Sequence, residues 1–178
     1  MNDCIFCKIA KGEIPALKIY DDAEFIGFLD VNPRFVGHAL VIPKKHAETI
    51  LDLSEDEAGH MFKIVQKIAK EITTKLGVKG FNIGNNNGQI AGQAVPHAHI
   101  HILPRTDADE HHAGFEAAFK PDENAKKELE NTLKKIGTIS SIEKTTTINE
   151  PEPKKEEPTN NDEFVFVDDD ATLSKMDG

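Results

Sequence analysis

The stretch His97-Ala98-His99-Ile100-His101-Ile102-Leu103 alternates imidazole with apolar side chains. Strict alternation is the pattern of a half-buried β-strand, whose successive side chains point to opposite faces. The reading places His97, His99 and His101 in one exposed row at about 6.6 Å intervals, with Ala98, Ile100 and Ile102 turned to a core. Histidine titrates near neutrality and serves as nucleophile, general acid or base, phosphate donor or metal ligand, so a row of three suits work on an anionic substrate. Upstream, Asn85-Asn86-Asn87-Gly88 and Ala91-Gly92-Gln93-Ala94-Val95-Pro96 form a Gly/Asn-rich loop that runs straight into the row. Glycine reaches the positive-φ geometry that an anion-binding nest of backbone N–H groups needs.

Outward from this strand, residues 17–20, 25–30, 39–42, 81–84 and 96–103 read as strands, with turn signals at Asp21-Asp22, Asn32-Pro33, Gly80 and Gly88. Ser54 with Glu57 makes a capping box, after which Ala58, Met61, Phe62, Val65, Ile68, Ala69, Ile72 and Leu76 recur at helical spacing until Gly77. That predicts one amphipathic helix of about 22 residues, ~33 Å long, with Met61 and the aliphatics in the core. Pro121 and Asp122 open a second helix over 123–136, with Ala125, Leu129, Leu133 and Ile136 on one stripe. One long helix against five strands is α+β: a five-stranded antiparallel sheet covered on one face by the long helix and joined by a C-terminal helix. The expected divisions are a domain over 1–120, the C-terminal helix in 121–142 and an acidic tail over 143–178.

The tail is set apart by composition: Thr145-Thr146-Thr147, Glu150-Pro151-Glu152-Pro153 and Asn160-Asn161 hold few apolar residues and several prolines, as in disordered segments. It carries eleven acidic and four basic residues, so −7 of the chain's net −10 lies there. Net acidity, with no basic patch interleaved with aromatics, argues against nucleic acid or an anionic membrane as partner. Glu163-Phe164-Val165-Phe166-Val167-Asp168 is an apolar island among acids, readable as a short motif that adds to a sheet edge and recruits a protein partner, or as an accident of composition.

Cys4 and Cys7 are the two cysteines of the chain, which carries no signal peptide and no apolar run of about 18 residues. The reading is a soluble, cytoplasmic protein without a stabilising disulfide. A redox CxxC expects a thioredoxin-like βαβ context, which is missing; zinc suits the pair better and needs two further N or S ligands, for which histidines are the candidates. His60, on the long helix, and His111-His112, past the motif, read as solvated residues; either of the latter pair can also approach a dimer partner's site.

At this point the sequence resembles the histidine-triad (HIT) superfamily, whose His-φ-His-φ-His-φ-φ signature is filled by His97 to Leu103 and preceded by Gly92-Gln93-Ala94-Val95. Phe28-Leu29-Asp30-Val31-Asn32-Pro33 and Gly37-His38-Ala39-Leu40-Val41-Ile42-Pro43-Lys44-Lys45-His46 resemble its N-terminal half, in the same order, so the resemblance covers residues 4–105. It implies His99 as the nucleophile, attacking the α-phosphorus of a nucleotide to form a nucleotidyl-histidine that water hydrolyses. His101 and His38 would lie beside the phosphate. Asn86 and Gln93 would belong to the nucleotide site, with Asp30 on the ribose hydroxyls and Phe28 and Val31 as walls for the base. Members with this CxxC complete a structural zinc site with residues that correspond to His46 and His97, giving Cys4/Cys7/His46/His97. The resemblance also implies a homodimer joined through the sheet and no cofactor for the chemistry.

Ala94 stands where the nucleoside-phosphoramidase branch carries a serine that assists the leaving amine. One hydrogen bond is worth roughly 1 kcal/mol, so its absence bears on the choice of leaving group and not on whether chemistry occurs. The leading expectation is a purine nucleoside 5′-phosphoramidase. The alternatives are a dinucleoside polyphosphate hydrolase and, from another class, a nucleotide-binding interaction module with incidental turnover.

Overall fold

Five strands, β1 (Leu17–Asp21), β2 (Phe25–Leu29), β3 (Ala39–Pro43), β4 (Gly80–Gly84) and β5 (Ile100–Arg105), form one antiparallel sheet in the order β1-β2-β3-β5-β4. The computed structural model describes residues 3–107 and 121–141. His111, His112, the tail and its apolar island lie outside the described residues. The α+β expectation with five antiparallel strands holds.

β2 and β3 are buried along their whole length, which is why Phe25-Ile26-Gly27-Phe28-Leu29 and Ala39-Leu40-Val41-Ile42-Pro43 read as runs and not as alternations. Phe25, Leu29, Ala39, Val41, Ile100 and Ile102 join one core with the long helix α2 (Glu55–Leu76). Ile26, Phe28, Leu40 and Ile42 join a second, smaller core with Phe6 and Ile9 of α1 (Ile5–Lys11). The sheet is therefore not covered on one face alone. The seven residues of α1 span two turns, too few for an apolar period to register in sequence.

The capping box predicted for α2 is present, Ser54 accepting from the Glu57 N–H and Glu57 accepting from the Ser54 N–H at 2.7 Å, and Gly77 ends the helix in the left-handed region. Its buried stripe is Met61, Ile64, Val65, Ile68, Ala69 and Ile72. Phe62, counted in the apolar period, is half exposed, and Ile64, not counted in it, is fully buried. Gly27 lets α2 approach the sheet, because a Cβ there would lie 2.5 Å from Ile68 Cδ1. Gly37 turns the chain into β3 at φ +87°, with Leu76 Cδ1 2.6 Å from where its Cβ would stand.

The predicted C-terminal helix is two pieces, α3 (Glu123–Lys127) and α4 (Leu129–Ile136), separated at Glu128, where φ and ψ are −85° and 0°. Asp122 caps α3 through the Asn124 and Ala125 N–H groups. Leu129, Leu133, Ile136 and Ile139 pack on the α2 core, and the Ile139 N–H donates to the Ile19 carbonyl at 2.7 Å. Among the described residues no helix is long and apolar enough to cross a membrane.

Candidate functional site

β5 starts at Ile100, so the histidine row is only partly strand: His97 lies in a bend and His99 in irregular chain. The β4–β5 ladder stops at the Gly84↔His101 pair, and the backbone before His101 has no strand beside it on that side. Nor is the row exposed: His97, His99 and His101 retain 0%, 5% and 9% of their surface. The correction has a physical cause. The face opposite α2, expected to meet solvent, is covered by α1, whose Phe6 ring stands edge-on to the rings of His97 at 5.8 Å, His99 at 5.2 Å and Phe28 at 6.0 Å. The rings of His99 and His101 are 5.0 Å apart, and His38, fully buried, meets His101 at 2.9 Å between Nε2 and Nδ1.

Hydrogen-bond partners assign a tautomer to each ring. His99 Nδ1–H donates to the His97 carbonyl at 2.7 Å, which leaves the lone pair on Nε2. The Arg34 backbone N–H donates to His38 Nδ1 at 3.3 Å, so His38 Nε2–H donates to His101 Nδ1 and the proton of His101 sits on Nε2. His97 Nε2–H donates to the Pro43 carbonyl at 2.9 Å and turns its Nδ1 lone pair toward the two cysteines. One ring thus offers a nucleophilic nitrogen and its neighbour an N–H donor, the complement needed at a phosphoryl group.

Burial keeps these rings neutral. It lowers the pKa of His99 and His97 below the ordinary histidine value, lowers His38 to about 4, with Asp30 opposing and Arg34 adding to the shift, and lowers His101 to about 3, where the His38, His99 and Arg34 charges add to it. Between pH 6.5 and about 4 the unfolded chain therefore binds protons that folded His38 and His101 refuse, and stability falls as pH falls through that window. The melting temperature is expected to be lower at pH 5 than at pH 7.5, and the difference to shrink in His101→Gln. Equal pH dependence in the two proteins would refute the assignment.

A second cluster adjoins the first. Cys4 and Cys7 flank the start of α1, His46 follows the end of β3, and their ligand atoms with that of His97 all lie within 4.8 Å of one another, a group that can hold a metal ion. The S···N separations are 3.4 Å for Cys4–His97, 3.5 Å for Cys7–His97 and 3.3 Å for Cys7–His46. Tetrahedral zinc, with bonds of about 2.3 Å to sulfur and about 2.0 Å to nitrogen, needs a sulfur–nitrogen edge of about 3.5 Å, which these three pairs match. Burial and the neighbouring Cys4 push the Cys7 thiol up, an effect that a bound cation reverses.

The loop between β2 and β3 brings Asp30 to His38, with Oδ2 3.5 Å from Nδ1, while Oδ1 accepts the Asn32 N–H at 2.9 Å. Asp30 is thus a turn residue and a neighbour of the histidines at once. Phe28 is buried and Val31 is exposed. Asn86 is half-buried and donates to the Gly92 carbonyl at 3.1 Å. Gln93, expected among the nucleotide-binding residues, has its amide in the loop: Oε1 accepts the Gly88 N–H, and Nε2 donates to the Glu48 and Val95 carbonyls at 2.7 and 2.9 Å.

Two residues near the rings escape sequence reasoning. Phe6 is hidden inside the CxxC spacing. Arg34, 7% exposed, places a cationic charge near His38 and His101 with no motif to announce it. His60 is not solvated as expected: its ring nitrogens lie 3.1 Å from carboxylate oxygens of Asp22 and Glu24, away from both clusters.

A family model described as the HIT domain matches residues 11–108. An uncharacterized HIT-like protein of Methanocaldococcus jannaschii is 52% identical over 106 residues, which cover 60% of this chain and 81% of that one. An adenosine 5′-monophosphoramidase of Schizosaccharomyces pombe is 43% identical over 106 residues, covering 60% of this chain and 77% of that one. Among solved structures, a zinc-bound histidine triad family protein from Mycobacterium smegmatis superposes with a TM-score of 0.61 at 35% identity, covering 75% of this chain and 94% of that one.

Proposed function

Because the chain belongs to the HIT family and is a hydrolase of that family, we propose that it cleaves purine nucleoside 5′-phosphoramidates through a covalent nucleotidyl-histidine on His99. The observation that carries the reading is the 2.7 Å bond from His99 Nδ1–H to the His97 carbonyl, which leaves Nε2 as a neutral, unprotonated nucleophile. Nε2 attacks the α-phosphorus, the P–N bond breaks, and the leaving nitrogen takes a proton from solvent and departs as an amine. Water then attacks the phosphorus and gives up a proton to solvent, the P–Nε2 bond breaks, and the nucleoside monophosphate leaves with His99 restored. His101 Nε2–H, held in that tautomer by His38, donates to the phosphoryl oxygens as charge builds there. Asp30 accepts from the ribose hydroxyls, Phe28 and Val31 flank the base, and Asn86 lies at the phosphate side.

Ala94 offers no hydroxyl to the leaving group. That favours a second reading, in which the same nucleophile cleaves the phosphoanhydride of a dinucleoside polyphosphate. The ratio of kcat/KM on an adenosine phosphoramidate to that on diadenosine polyphosphates separates the two.

The Cys4/Cys7/His46/His97 cluster is proposed to hold structural zinc. With four protein ligands there is no open position at the ion, and what zinc supplies is the tethering of α1 and of the chain before β5. A homodimer is part of the same reading, supported by β4, an edge strand whose Phe81 and Ile83 are about 40% exposed. Sedimentation equilibrium that returned a monomer would remove the dimer from it. The test of the chemistry is rapid-quench mass spectrometry for an adenylyl adduct on His99, expected in wild type and absent from His99→Ala.

A further inference from the structure

The Gly/Asn-rich loop reads in sequence as a cradle for an anion, yet most of its amide side chains point elsewhere. Asn85 follows Gly84, the last β4 residue in the ladder with β5. Its Nδ2 donates to the carbonyl of His99 at 2.8 Å, so a side chain supplies the hydrogen bond that the ended ladder no longer can. Asn85 is itself held: Asn87 Nδ2 donates to Asn85 Oδ1, and Asn87 Oδ1 accepts the Ile50 N–H at 2.9 Å. On the other side of the nucleophile, the His97 carbonyl that accepts from His99 Nδ1 also lies 3.4 Å from Gln93 Nε2. Gln93 is almost fully buried, and its Oε1 is fixed by the Gly88 N–H at 2.6 Å.

Taking His99 as the nucleophile, as proposed above, we infer that Asn85, Asn87 and Gln93 are positioning residues, a side-chain amide scaffold that fixes the two carbonyls flanking His99 and so sets where its ring stands. The division of labour within the loop follows from geometry. Asn86 bonds only locally, to Gly92, and is the asparagine of the three left to meet a ligand. Asn85 and Asn87 face the strand and a neighbouring turn. Irregular backbone is soft where no ladder holds it, and a nucleophile must stand within a fraction of an ångström of its line of attack. The scaffold supplies the stiffness that β-structure gives to His101 and does not give to His99.

Asn85→Asp keeps the shape and replaces the donor to the His99 carbonyl by an acceptor. It is expected to lower kcat and the single-turnover rate of adduct formation roughly 10- to 100-fold, with KM and the affinity for AMP within about threefold. Asn87→Asp still accepts from the Ile50 N–H but cannot donate to Asn85, and is expected to lose less. The double variant is expected to lose no more than Asn85→Asp alone, because the two act in series. Unchanged kcat in Asn85→Asp, or additive losses in the double variant, would overturn the inference. If Asn85→Asp does not fold, Asn87→Asp carries the test. Should wild-type protein form no adduct, the reading of the chemistry fails separately, and the scaffold is read from the ¹⁵N spectrum of the His99 ring. A single Nδ1–H tautomer in wild type and a mixture in the variants supports the scaffold; the same tautomer in all of them refutes it.

Discussion

His99→Ala is expected to abolish turnover of an adenosine 5′-phosphoramidate, with kcat/KM lower by about 10⁴-fold or more, the range seen when a covalent nucleophile is removed. The same variant is expected to bind AMP within a few-fold of wild type, because the groups proposed to hold ribose and base, Asp30, Phe28 and Val31, stand on the β2–β3 side and do not depend on the His99 ring. In rapidly quenched wild-type protein, kept under conditions that preserve phosphohistidine, an adduct of one adenylyl group is expected on the peptide that contains His99. None is expected in the variant. Substantial residual turnover in His99→Ala would end the covalent proposal and transfer attention to direct attack by water. Absence of both adduct and AMP release in wild type, despite tight AMP binding, would favour the reading of a nucleotide-binding module.

The second large effect is expected on removal of metal. A cation that binds the folded cluster and not the unfolded chain contributes about 4 kcal/mol at a free concentration a thousandfold above its Kd. For a domain of this size that corresponds to a fall in melting temperature on the order of 10 °C after chelation, and a similar fall in Cys7→Ser. Activity is expected to fall in step, because His97 belongs to both clusters: its ring completes the metal group while its carbonyl receives the proton side of His99. Metal analysis of untagged protein is expected to return one zinc per chain. No stoichiometric metal, or a melting temperature indifferent to chelation and to Cys7→Ser, would remove zinc from the reading.

Much of this architecture is legible in the residues because local signals agree with tertiary need. The capping box at Ser54 and Glu57, the glycine at 77 and the apolar period between them define α2 to the residue. Strands expected over 17–20, 25–30, 39–42 and 81–84 are found within a residue of those bounds, with Asp21 and Gly80, read as turns, closing β1 and opening β4. The failures share one cause, that a pattern in one dimension does not say what arrives from elsewhere in the chain. Alternation from His97 to Leu103 looks like one strand, but a strand needs neighbours, and β4 supplies none beyond Gly84. The histidines look exposed because α1, 90 residues away in sequence, is too short to be seen as their cover. His60 looks solvated because Asp22 and Glu24 reach it only across the fold.

The candidate site was legible to a similar depth. Motif and resemblance bring His38, His99 and His101 together, and the structure gathers the four cysteine and histidine positions into one group. Tautomers were out of reach, since they are set by the carbonyls of His97 and Pro43 and by the backbone N–H of Arg34, groups that every residue possesses and no sequence pattern marks.

The strand order also governs how such a chain can be made. β5 is the last of the described strands in sequence, yet it lies between β3 and β4 in the sheet. During synthesis, until residues 100–105 have left the ribosome, β3 is an open edge with an apolar run on both of its faces, and β4 has no partner. Cys4 emerges 93 residues ahead of the histidine it meets, His97. A nascent chain of this design carries an open, apolar edge for a long interval, and closing the sheet, gathering the thiols around His97 and placing His99 beside His101 all await residues 97–105.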